Sequence, residues 1–209
     1  MRAYLFDLDG TLLDSIQLIL TSFHHTSRAH RDRVFPDSYW LEGIGTPLRD
    51  QLGTLAESPA ELDAMLETYV EFNLANHDSF AKPYSGVVEV VRELHRRGSA
   101  LALVTSKLSR GANRGLQLLG LEAEFPVRVC ADDVTHGKPH PEPVLNALGS
   151  LGAAATEAVF IGDSPHDIEA GRRAGVPTAA VSWGPFPREI LDNAGPDHWI
   201  DAPAEILDL

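Results

Sequence analysis

Five short apolar runs punctuate the chain: Ala3–Phe6, Ala100–Val104, Val127–Cys130, Ala158–Ile161 and Thr178–Val181. Each has the length of a fully buried strand and lacks the sustained alternation of a half-exposed one. Helical patterns separate the later runs. Val87, Val88, Val91 and Leu94 share one helical face, and Gly98 follows as a stop signal. Pro165 to Ala174 reads as another helix, with Asp163 or Ser164 near its start and Gly175 just past its end. Strand alternating with helix predicts a parallel sheet with right-handed crossovers, a doubly wound α/β core.

One interval breaks this rhythm. From about Ser15 to Phe80 the periodicity is helical and no strand stands out. Ile16, Ile19, Leu20 and Phe23 form one stripe; Leu62, Met65, Leu66, Tyr69 and Phe72 form another. Between them lies the turn-rich Gly43-Ile44-Gly45-Thr46-Pro47-Leu48. Two arrangements fit: helices packed on one sheet face, or a helical cap inserted after the first strand, hinged near Leu12–Ser15 and Phe80–Ser85. Together with the motifs below, the cap is expected, with residues 1–14 and 84–209 as the core and 15–83 as the cap.

Composition adds one constraint. The 209 residues carry 30 acidic and 17 basic side chains, a formal net charge of -13. Such a surface repels nucleic acid and anionic membrane, so neither is an expected partner. An anionic substrate would need positive charge supplied locally, by a metal ion or a few placed lysines. No apolar run reaches the roughly 18 residues of a membrane span. The N-terminus shows no secretory apolar stretch before Asp7. A lone cysteine, Cys130, has no internal disulfide partner, so a reducing cytoplasm is the expected location. No internal repeat or low-complexity tract is evident.

The candidate chemistry gathers at strand ends, where open α/β sheets bind ligands. The first strand runs into Asp7-Leu8-Asp9-Gly10-Thr11. Alone, this could be a strand exit or a calcium-loop fragment, although Leu18 stands where a calcium loop needs its twelfth-position Glu. The second ends in Thr105-Ser106-Lys107, a phosphate perch or a plain helix cap. Lys138 lies in His136-Gly137-Lys138-Pro139-His140-Pro141, whose two prolines stiffen the segment, and offers either a fixed cation or a solvated one. The fourth strand ends in Gly162-Asp163-Ser164-Pro165-His166-Asp167. Oxygen donors of this kind suit Mg²⁺, whereas Asp167 also reads as an ordinary helix-start acid.

Taken in order along the whole chain, Asp7-Leu8-Asp9-Gly10-Thr11, Thr105-Ser106-Lys107, Lys138-Pro139 and Gly162-Asp163 with Asp167 resemble the haloacid dehalogenase superfamily. Gly45-Thr46-Pro47-Leu48, Lys138-Pro139-His140-Pro141-Glu142-Pro143 and Val181-Ser182-Trp183 are similar to its phosphoglycolate phosphatase and pyrophosphatase branch. The resemblance implies a Rossmann-like core with an inserted cap, and a Mg²⁺-dependent phosphatase acting on a small phosphorylated metabolite, phosphoglycolate first and pyrophosphate as the alternative. It implies Asp7 as nucleophile, Asp9 as acid/base, and Asp7, Asp9 (by its carbonyl), Asp163 and Asp167 about the metal. Thr11, Thr105, Ser106 and Lys138 would bind the phosphoryl group, Thr105 and Lys138 also serving catalysis. Asp9 argues against a dehalogenase, which lacks this acid/base; a phosphomutase or a non-catalytic metal-binding protein remain other readings.

In the cap, Arg49 is the candidate for a second anionic group, or else a surface arginine. His24 and His25 are adjacent, so at most one can face the site from a helix. The nine histidines are assigned to no zinc site, and His140, His166 and Cys130 are read as structural. A monomer or a core-mediated homodimer is compatible with a moving cap.

Overall fold

A computed structural model describes residues 2–209. The core strands are β1 (Ala3–Phe6), β4 (Ala100–Val104), β5 (Val127–Val129), β6 (Ala158–Gly162), β7 (Thr178–Val181) and β8 (His198–Ile200). They form one parallel six-stranded sheet in the order β5-β4-β1-β6-β7-β8. Side chains alternate across it as the pleat requires. Tyr4, Phe6, Leu101, Leu103, Val159 and Ile161 enter one hydrophobic cluster; Ala3, Leu5, Ala102, Val104, Ala158 and Phe160 enter the other. Both faces are covered by helices, which is why the strands read as continuous apolar runs. The helices are α5 (Val87–Arg96), α6 (Ser109–Leu119), α7 (Glu142–Leu151), α8 (Pro165–Arg173) and α9 (Arg188–Ala194).

The remaining helices, α1 (Ile16–Arg31), α2 (Asp37–Leu41), α3 (Leu48–Gly53) and α4 (Pro59–Phe80), build a hydrophobic cluster of their own. Phe23 and Trp40 stack within it at 4.3 Å, and Leu52, Met65 and Tyr69 close it. The chain passes into and out of this unit through a two-stranded antiparallel ribbon, β2 (Leu13–Asp14) against β3 (Lys82–Pro83). The ribbon and β8 were not legible as strands. Each has only two or three residues, and pairing with a distant partner supplies what local pattern does not.

The chain leaves β1 for β4 on one side and reaches β6 on the other, so β1 lies at a switch point. Phe6 is level with Leu103 on β4 and Ile161 on β6. The residues just beyond, Asp7, Val104-Thr105 and Gly162-Asp163, therefore emerge side by side in one crevice.

Candidate active site

Asp7 follows directly from β1, with its amide still donating to the Ile161 carbonyl at 2.9 Å. The chain then turns sharply: the amides of Thr11, Leu12 and Leu13 all donate back to the Leu8 carbonyl, and Leu8 is buried as an anchor. Gly10 makes the turn possible. Its φ is +87°, and a Cβ there would stand 2.3 Å from Asp163 Oδ2. Close approach to Asp163 thus excludes any side chain at this position.

Four charged side chains meet at the base of the crevice, all nearly inaccessible: Asp7, Lys138, Asp163 and Asp167. Lys138 Nζ donates to Asp7 Oδ1 at 2.9 Å, to Asp167 Oδ1 at 2.5 Å and to the Val104 carbonyl at 3.3 Å. Burial alone would pull this ammonium down, but Asp167 and Asp7 outweigh it and hold Lys138 above the usual lysine range. Thr11 Oγ1 donates to Asp163 Oδ1 at 2.8 Å. The other oxygen, Asp163 Oδ2, is buried with no hydrogen-bond partner among the described residues.

The balance of charge is unfavourable as it stands. Three buried carboxylates face one ammonium, an excess of two negative charges when all are ionised. Burial, with Asp167 adding to it and Lys138 opposing it, pushes Asp7 up to about 7. Burial, then Asp167 and Asp7, raise Asp163 well above the ordinary aspartate range. Asp7, Asp163 and Asp167 each offer one oxygen, and these lie within 4.8 Å of one another. An all-oxygen set, an orphaned buried carboxylate oxygen and two uncompensated charges fit a hard divalent cation such as Mg²⁺.

Asp167 fulfils its helix-start reading and also braces the lysine. Its Oδ2 accepts from the Ser164 amide at 3.1 Å and hydroxyl at 2.6 Å, closing a capping box at the start of α8, while its Oδ1 holds Lys138. With both oxygens engaged, it braces the lysine at least as much as it offers a ligand.

Asp9 points elsewhere. Its carboxylate accepts from Ser15 Oγ at 2.5 Å and from Lys107 Nζ at 2.8 and 2.9 Å. It stands with Asp7, Thr105, Ser106 and Lys107 on the floor of a small cavity of about 90 Å³. The cavity's roof comes from the helical unit: Ile19 and Phe23 of α1, the Gly45–Thr46 turn, Leu48 and Gln51 of α3, and Tyr69 and Asn73 of α4. Ser106 Oγ donates to the Gly45 carbonyl at 2.6 Å and ties roof to floor. Gly45 has φ +97°, and a Cβ would meet Ser164 Oγ at 2.7 Å, so the turn presses directly onto the start of α8.

The sequence placed Ser164 near a helix start, Ser15 in a hinge and Lys107 in a motif, but gave none of them its contact to Asp167 or Asp9. The partnership of Lys107 with Asp9 spans 98 positions and had no local sign. Trp183, noted only as a motif residue, donates from Nε1 to the Thr11 carbonyl at 3.0 Å and buttresses the turn. Arg49 does not line this cavity, although it borders the adjoining open cleft that Lys138, Thr46 and Gln51 also line. It lies exposed on α3, paired with Asp63 Oδ1 at 2.8 Å. Arg110, in the first turn of α6, does line the cavity and has no ion-pair partner among the described residues. Asp132 and Asp133 serve local structure, accepting from Ser109 and from the Cys130 amide.

A doubly wound core with buried aspartates and a lysine at the switch point, roofed by a helical unit, defines an enzyme of the phosphatase class. The sequence model of the family described as Haloacid dehalogenase-like hydrolase matches residues 4–181, and the chain belongs to that family. The chain is 40% identical to Pyrophosphatase PpaX of Anoxybacillus flavithermus over 209 residues, covering 100% of this chain and 96% of that protein. The same identity and coverage hold for Pyrophosphatase PpaX of Halalkalibacterium halodurans. A crystal structure of a hydrolase from Pseudomonas syringae superposes with a TM-score of 0.91 at 24% identity, over 100% of this chain and 97% of that one. A predicted phosphoglycolate phosphatase from Haemophilus somnus gives 0.88 at 24%, with the same coverage. At that identity the two solved structures establish the shared fold. Among the described residues, no helix is long and apolar enough to cross a membrane.

Proposed function

We propose that the protein is a Mg²⁺-dependent phosphatase in which Asp7 attacks phosphorus and carries the phosphoryl group as an aspartyl-phosphate. The observation that carries this reading is the contrast between the two neighbouring aspartates. Asp7 lies at the buried focus of Lys138 and the carboxylate trio, while Asp9 is held apart, facing the cavity. That contrast supports one carboxylate as the group that bonds to phosphorus and the other as the one that handles protons. Asp9 gives a proton to the departing oxygen, then takes one from the water that opens the intermediate. Lys138 holds Asp7 in line and, with Thr105 and the Ser106 amide, meets the charge on the phosphoryl oxygens; Thr11 keeps Asp163 in place.

Asp7, Asp163 and the Asp9 carbonyl would hold the ion, with Asp167 in support. Bound there, Mg²⁺ supplies the positive charge that lets an anionic nucleophile meet an anionic phosphate. Residues 15–83 act as a cap that excludes water and reads the leaving group.

The substrate we favour is inorganic pyrophosphate, supported by relatives of that name at 40% identity over nearly their full length. A small organic phosphate such as phosphoglycolate is the second reading, favoured by the apolar part of the roof at Ile19, Phe23 and Leu48. The cytoplasm, with its reduced thiols and phosphorylated metabolites, is the setting this reading supposes. The test is kcat/KM for pyrophosphate, phosphoglycolate and p-nitrophenyl phosphate, with Mg²⁺ and with EDTA, for wild type and Asp7→Asn. Turnover should require Mg²⁺, be highest for pyrophosphate and vanish in the variant. Turnover surviving in Asp7→Asn ends the nucleophile assignment; a preference for phosphoglycolate selects the second reading.

A further inference from the structure

The loop that delivers Lys138 to the crevice carries two histidines on its outer side. His136 and His140 flank it in sequence, and Glu142 opens α7 just beyond. Both imidazoles are about half exposed or more, and the three form a group separate from Asp7, Asp163 and Asp167. Their approach to one another is close: His136 Nδ1 lies 3.0 Å and His140 Nδ1 3.9 Å from the same oxygen, Glu142 Oε2. The two rings are 4.7 Å apart, and one ligand-capable atom from each of the three residues falls within 4.8 Å of the others.

The carboxylate is fixed before any ion arrives. Glu142 Oε1 accepts from the Thr135 amide at 2.8 Å, and Oε2 accepts from the His136 amide at 3.1 Å. This leaves Oε2 turned toward both rings. Four-coordinate zinc has bonds of roughly 2.0–2.1 Å, which sets neighbouring ligand atoms about 3.3 Å apart. The observed 3.0 and 3.9 Å separations bracket that spacing, and His140 Nδ1, which accepts from the Glu142 amide at 3.2 Å, would exchange that hydrogen bond for the ion. The chemistry also differs from that at Asp7. Two imidazoles and one carboxylate suit Zn²⁺, Ni²⁺ or Cu²⁺, whereas the all-oxygen trio suits Mg²⁺.

We propose that His136, His140 and Glu142 form a second metal site, for a transition-metal ion of the zinc type, with three protein ligands and one position open to water. Sequence spacing did not announce it, because His-x-x-x-His aligns two rings only on a helix, and here the intervening Gly137-Lys138-Pro139 is a turn closed by the His140 amide donating to the Gly137 carbonyl. Glu142 also holds the Thr135 and His136 amides, so an ion captured there is tied to the same loop that presents Lys138 to Asp7. The alternative use of these groups is a purely hydrogen-bonded latch between imidazole and carboxylate.

Co²⁺, whose visible absorption distinguishes four-coordinate from six-coordinate surroundings, tests the site in the full-length protein with Mg²⁺ in excess. One equivalent should bind with the intense band of a four-coordinate ion, and Zn²⁺ should displace it. Binding should weaken about tenfold or more in His136→Gln and in His140→Gln, and persist in Asp163→Asn. His140→Gln should keep its unfolding temperature and its turnover in Mg²⁺ alone, which separates loss of the site from loss of fold. Absence of saturable Co²⁺ binding, binding unaffected by both histidine variants, or binding lost in Asp163→Asn would each overturn the proposal.

Discussion

Freed of divalent cations, the protein should lose stability as pH rises from about 4 to about 7, with Asp7 a principal cause and the likewise raised Asp163 acting in the same sense. The Asp7 carboxyl is pushed up to about 7 from an ordinary 3.8, mainly by burial. Between those values the folded chain retains a proton that the unfolded chain has released. Stability linked to this group is therefore full below the unfolded value and is lost as pH climbs through the folded one. An interval of about three pH units, at about 1.4 kcal/mol each, amounts to on the order of 4 kcal/mol. For a chain of this size that is on the order of 10 °C in melting temperature.

Thermal unfolding followed by circular dichroism in EDTA, for wild type and Asp7→Asn across this pH range, isolates the effect. Exposed pairs such as Arg96–Glu93 act in the opposite sense, since Glu93 is held low at about 2 and its contribution fades only in acid, but they are common to both proteins. Lys138, held above its usual range, stays charged throughout. Excess Mg²⁺ competes with the proton for the same oxygens. At a hundredfold excess over its dissociation constant it should restore about 2.7 kcal/mol near neutrality, and much less in acid. An identical pH profile in Asp7→Asn, or equal stabilisation of both proteins by Mg²⁺, would refute the electrostatic account of the site.

Four further outcomes follow from individual contacts. Gly10→Ala should cost about 1–3 kcal/mol through its positive φ, and should at least halve the Mg²⁺-induced rise in melting temperature, because its Cβ displaces Asp163; an unchanged rise would contradict this. Arg49→Ala should change stability by no more than about 1 kcal/mol, the usual worth of an exposed pair, and leave KM nearly unchanged. Arg110→Ala should raise KM for pyrophosphate about tenfold and much less for p-nitrophenyl phosphate, and equal effects on both would remove it from substrate reading. Lys107→Met should lower kcat about tenfold or more with little change in KM, because Asp9 loses the ammonium that orients both its oxygens; steady-state kinetics with kcat intact would refute that role.

The parts of this protein written locally were readable from its residues alone. A strand buried on both faces is a run of apolar side chains, so β1, β4, β6 and β7 announce themselves, and the carboxylates placed just beyond two of them mark the crevice. Helical stripes in α1 and α4 likewise declare which faces are buried. What no local pattern states is the partner each charge selects. Lys138 reaches Asp7 across 131 positions, Lys107 finds Asp9 across 98, and Arg49 turns to Asp63 instead of the cavity. The two faces of Asp167, and the meeting of His136, His140 and Glu142 around one oxygen, belong to the same kind. Burial within a chain is encoded by side-chain type and period, which neighbours in sequence share. Electrostatic pairing depends on distances of a few ångströms between segments far apart in sequence, and only the packed chain sets those distances.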